Sequence, residues 1–128
     1  SLADVEAATR DWTDRPVAIV SLNPMSLDDV WRDIAKVAQA LGVAERGKAL
    51  IHSLQARMQM TAARAATVKQ RPRVAMIEWI EPLMAGGNWM PALVEMAGGE
   101  NLFGKAGSLS WEAWFILIQM AISKHKEM

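Results

Sequence analysis

Apolar residues along this chain fall into two kinds of pattern, and the division between them sets the predicted elements. One kind repeats at three and four residues, as one face of a helix does. Leu27, Val30, Trp31, Ile34, Val37, Ala38 and Leu41 form such a face, and so do Leu50, Ile51, Leu54, Met58, Ala62 and Ala65. The first helix is expected to open at Ser26, whose spacing to Asp29 is that of a capping box, and to stop at Gly42. The second is expected from Ala44 or Glu45 to about Val68, a strut of about 36 Å at 1.5 Å per residue, closed by Gln70-Arg71-Pro72. The other kind of pattern is a short β-branched run. Val17–Leu22 and Arg73–Trp79 read as buried strands, and Phe115–Met120 reads as a third. Asp4–Trp12 resembles the last turns of a helix, broken at Arg15-Pro16. A short helix is predicted from Trp89 to Ala97, with Asn88 as N-cap, Pro91 in its first turn and Gly98-Gly99 as its stop. A loop follows to Ser108, and Ser110-Trp111-Glu112 opens another helix. This alternation indicates an α/β fold with largely parallel pairing.

Composition narrows the field. At 128 residues, with 52% hydrophobic and 22% charged positions, the chain has the size and make-up of one globular domain with a core to bury. Fourteen basic and fourteen acidic residues cancel, which argues against an electrostatic grip on nucleic acid or on an anionic membrane. The absence of cysteine excludes disulfides and thiolate chemistry. His52 and His125 stand far apart without partners at metal-ligand spacing. The longest apolar run, Trp114–Ile122, is too short to span a bilayer. The chain opens inside a helical pattern and shows no leader sequence, so it reads as part of a longer polypeptide. No nucleophile elbow, phosphate loop or dinucleotide fingerprint is present, and Glu78 with Glu81 gives no reason for opposed pKa values. An enzyme is not expected.

The chemistry concentrates between Arg73 and Phe103, where a strand delivers Trp79, Gly86, Gly87, Asn88 and Trp89 onto one loop. Two indoles beside paired glycines suit a large, flat ligand: the rings supply dispersion, and the glycines allow close backbone approach. Each residue also has a plainer reading. Trp79 can be core filler, Gly86 and Gly87 a simple turn, and Asn88 either a cap or an amide partner. Glu78 and Glu81 can accept from ligand N–H groups or be ordinary solvated charges. Trp31 is assigned to the core.

The stretches R-V-A-M-I-E-W (Arg73–Trp79) and P-L-M-A-G-G-N-W-M-P-A-L-V-E-M-A-G-G-E-N-L-F (Pro82–Phe103) resemble the cobalamin-binding class III periplasmic substrate-binding proteins of ABC importers. The upstream P-V-A-I-V-S-L-N-P-M-S-L-D-D-V-W is similar to the region bridging the two lobes in that family, and the resemblance covers Arg15 to Glu112. The family's Asp-Pro-Asp step has no counterpart here, where Trp114 runs directly into Phe115.

The resemblance implies a two-lobed protein with a rigid connecting helix. Residues 1–23 would end the first lobe, 24–70 would form the connector, and 71–128 the C-terminal, ligand-binding lobe. It implies cobalamin or a related corrinoid as the transported ligand, held by Trp79, Glu81, Gly86, Gly87, Asn88 and Trp89, with no cofactor required. It further implies an ABC importer permease as partner, docked through Glu112, and a periplasmic or cell-envelope location with an export signal upstream. Glu112 is equally readable as an ordinary first-turn helix acid. An iron-siderophore or haem ligand is the alternative within the class, although a siderophore site favours arginines and none lies between Trp79 and Phe103. A helical protein-interaction module is the alternative of another class. It predicts an exposed Leu50–Met58 stripe.

Overall fold

Ser26 and Asp29 start the first long helix as their spacing predicts. In the computed structural model, which describes residues 2–10, 12, 17–81 and 83–108, Ser26 Oγ accepts from the Asp29 N–H at 3.2 Å and Asp29 Oδ2 accepts from the Ser26 N–H at 2.9 Å. This reciprocal cap satisfies two otherwise free donors. Arg32 closes onto the other carboxylate oxygen. The cap, led by the Ser26 hydroxyl, lowers the Asp29 pKa to about 2. A shorter helix, α1, spans Leu2–Arg10 and buries none of its residues. The capped helix, α2, spans Leu27–Ala40, and Gly42 at φ 70° turns the chain. The strut, α3, spans Ala44–Ala65. At 22 residues it is about 33 Å long. It ends three residues before the predicted stop, because residues 66–68 tighten into a turn in which the Val68 N–H donates to Ala65 O at 3.1 Å.

α2 and α3 pack through their smallest residues. Gly47 is buried on α3, and a Cβ there would overlap the Cβ of Ala38, itself 6% exposed. Away from this contact the pair stays open. Leu50 is 49% exposed, while Ile51, Leu54 and Met58 are partly covered, so the stripe that the interaction-module alternative requires is open at one end only.

The expected strand Arg73–Trp79 is two strands with different partners. β1 (Arg73–Val74) pairs in parallel with β4 (Glu100–Asn101), which lies in the segment predicted as loop. β2 (Ile77–Trp79) pairs antiparallel with β3 (Met84–Ala85), with an irregular register between Ile77 and Trp79. Between β3 and β4 lies α4 (Met90–Met96), closed by Gly98 at φ 85° as predicted. The result is an α/β lobe with a small parallel pair and an antiparallel hairpin beside it. β2 is exposed along its length, not buried, because it sits at a hairpin with only one neighbour.

Val17–Leu22 is likewise not a strand: no described residue pairs with it, and a strand exists only with a ladder partner. The core is smaller than composition implies. Among the described residues the buried apolar side chains are Ala38, Ala85, Pro91 and Val94. The predicted helix at 110–112 and strand at 115–120 fall outside the described residues.

Candidate functional site

Met76 and the start of β2, with the loop after β3 and the first residue of α4, line a cavity of about 300 Å³. Gly86, Gly87, Asn88 and Trp89 line it together, as the sequence grouped them. Met76, Ile77 and Met90 add apolar wall, and Glu78 is the acidic residue along it. Gly86 sits in a tight place. A Cβ on Gly86 would lie 3.2 Å from the Met90 Cβ, and its N–H already donates to Met76 O at 2.8 Å. Gly104, at φ 81°, lets the following loop cross directly over the Gly86 carbonyl.

Asn88 differs from its expected role. Its backbone is left-handed at φ 51°, its N–H donates to Ser108 O at 2.8 Å, and its carbonyl accepts from the Gly107 N–H at 3.1 Å. This pairing with the 106–108 segment removes it from the cap position, which Trp89 occupies without a side-chain cap bond. Asparagine tolerates the left-handed region better than other residues with a Cβ. Its Oδ1 is buried, and no group among the described residues donates to it.

Trp79 stands outside the cavity wall, 59% exposed, on the adjoining hairpin. Its indole N–H donates to the Glu81 carbonyl at 2.7 Å, so the ring offers its faces and has no free donor. Glu81 takes part through that backbone oxygen and does not line the cavity. Ile80, at 84% exposure, continues the apolar hairpin tip with Ile77 and Leu83. The sequence-based site therefore divides into a cavity with Trp89 and an outward-facing surface with Trp79. Glu78 joins the cavity although the expected site omitted it. Its neighbour Ile77 lines the cavity too, so strand alternation does not single it out, and the irregular register between Ile77 and Trp79 was not readable from the sequence. Glu112 lies outside the described residues.

A larger, almost wholly apolar cleft of about 740 Å³ runs between α2 and α3, with Leu22, Val37 and Leu50 in its wall. Asp33 sits there, 7% exposed, with one carboxylate oxygen held by Lys36 at 2.9 Å and the other unpartnered among the described residues. Among the described residues no group of three or more His, Cys, Asp or Glu could hold a metal ion. No described helix is long and apolar enough to cross a membrane.

A family model described as periplasmic binding protein matches residues 3–115. The periplasmic heme-binding protein RhuT from Roseiflexus sp. RS-1, in its apo form, is similar in structure, with 30% sequence identity and a TM-score of 0.61. The match covers 78% of this chain and 37% of that one, so the chain spans little more than a third of that protein's length. No curated protein sequence matches.

Proposed function

Because the chain belongs to the periplasmic binding protein family, we propose that it serves in ligand capture for an ABC importer, with cobalamin or a related corrinoid as ligand. The observation that carries this reading is the exposed Trp79 ring, its N–H already satisfied, beside a cavity lined by Trp89, Gly86 and Gly87. A flat macrocycle gains from such faces by dispersion and burial, and polar groups at its rim fix its orientation. No catalytic role is proposed.

In this reading residues 1–23 end a first lobe, 24–70 connect, and 71–128 form the second lobe of a passive clamp. The stiff α3 limits closure to small angles. Glu112 then offers a carboxylate to arginines of the permease through charge-assisted hydrogen bonds. The protein would act in the periplasm or cell envelope. Haem is the second reading, favoured by the similarity to the RhuT protein. It shares the need for flat apolar contact but brings carboxylates.

Calorimetric titration of the full-length protein with cyanocobalamin, and separately with haemin, separates the two. Saturable cyanocobalamin binding is expected. No response at high micromolar cyanocobalamin removes the corrinoid assignment, and a haemin response alone installs the alternative. The Trp79→Ala and Trp89→Ala variants are each expected to weaken binding about 30-fold, as loss of about 2 kcal/mol from a buried aromatic anchor would. A double variant that binds as well as wild type removes the site assignment only.

A further inference from the structure

Glu78 is the only ionisable side chain in the wall of the loop cavity, and no hydrogen bond or ion pair engages it among the described residues. Among the described residues the cavity wall contains no lysine, arginine or histidine. Its other polar side chain is Asn88, whose Oδ1 is an acceptor without a donor among the described residues. Both groups are therefore short of the same thing, an N–H or O–H from outside. Of the cations closest along the chain, Arg71 donates to the Gly99 carbonyl at 2.8 Å, and neither it nor Arg73 or Lys105 lines the cavity.

We infer that Glu78, with Asn88, makes this cavity a selector for neutral N–H donor groups on the ligand rim, accepting primary amides and rejecting carboxylates. The inference rests on the corrinoid reading and refines it by stating which ligand groups face this wall. An amide N–H donates to the Glu78 carboxylate in a charge-assisted bond, which is stronger than a neutral one. A ligand carboxylate in the same place meets a like charge with no counter-ion in the wall among the described residues. At a spacing of about 5 Å in largely aqueous surroundings, that repulsion with the lost bond amounts to about a tenfold penalty.

The test uses two probes with the same ring, cyanocobalamin and its monocarboxylic acids, in which one side-chain amide has been hydrolysed. Titrated into the full-length wild-type protein at low salt, the acid isomer whose changed group faces this wall is expected to bind about tenfold more weakly than cyanocobalamin. In Glu78→Gln the gap should close to about twofold from both sides, with cyanocobalamin weakened about threefold and the acid strengthened. Glu78→Lys should invert the preference. Because Glu78 is exposed on a hairpin, both variants are expected to fold, and circular dichroism checks this. If every acid isomer binds wild type as well as cyanocobalamin does, or the gap persists unchanged in Glu78→Gln, the selector role is overturned and the corrinoid reading stands. If neither probe binds, both fall together.

Discussion

Asn88 carries two costs at once: a left-handed backbone and a buried oxygen without a donor among the described residues. Stability alone does not favour it. Asn88→Gly removes both, so its thermal midpoint is expected to match or exceed that of wild type, while ligand affinity falls. Asn88→Ala worsens the backbone strain but also removes the unpartnered oxygen, so it should cost less than about 1 kcal/mol in urea unfolding. A glycine variant that loses stability would show that the side chain is structural. Asp29 is the opposite case, a side chain whose partners are all local. Its pKa is depressed to about 2 in the folded chain. Its contribution is therefore present above the unfolded value near 4 and lost as pH falls from about 4 to about 2. Ser26→Ala should cost about 1 kcal/mol near neutral pH and flatten that part of the pH–stability profile. The Ser26–Asp29 cap was legible because its partners lie within one turn. The conformation of Asn88 was not, because residues 106–108 impose it from eighteen positions or more away.

The two long helices followed their periodicity closely, since each helical hydrogen bond closes within four residues. Strands need partners that the local pattern does not name. Val17–Leu22 is β-branched and finds no partner among the described residues, whereas Glu100–Asn101 has little strand character and pairs with β1. The break between β1 and β2 arises in the same way, with β4 claiming one half and β3 the other. Gly47 is the feature of helix pairing that periodicity passes over. A glycine inside a helix costs about 1 kcal/mol relative to alanine. Gly47→Ala would recover that amount but drive a methyl into Ala38. Overpacking of this kind costs about 1–3 kcal/mol, so a lowered thermal midpoint is expected. A raised midpoint would mean that the helices separate freely.

Taken whole, the chain leaves much apolar surface uncovered. Leu22, Leu41 and Leu50 are exposed around the α2–α3 cleft, and the buried apolar set is Ala38, Ala85, Pro91 and Val94 among the described residues. The 128-residue chain by itself should therefore unfold broadly in heat and enhance the fluorescence of a dye such as ANS. A sharp, cooperative transition without dye binding would show that the cleft closes on itself. Fold class and the grouping of the loop residues were legible from local pattern and the family motif. The size of the core was not, because a helical stripe shows which side seeks cover without showing what provides it. α3 adds a mechanical point. Near its start, Gly47 meets Ala38, and at its end Ala65 lies 3.0 Å from where a Cβ on Gly98 would stand. A rod seated at both ends, about 27 Å apart, transmits torque instead of absorbing it. A twist of the loop region beyond Gly98 must reappear at α2, and a bulkier residue at either seat would change the rest angle between the two ends without touching the ligand.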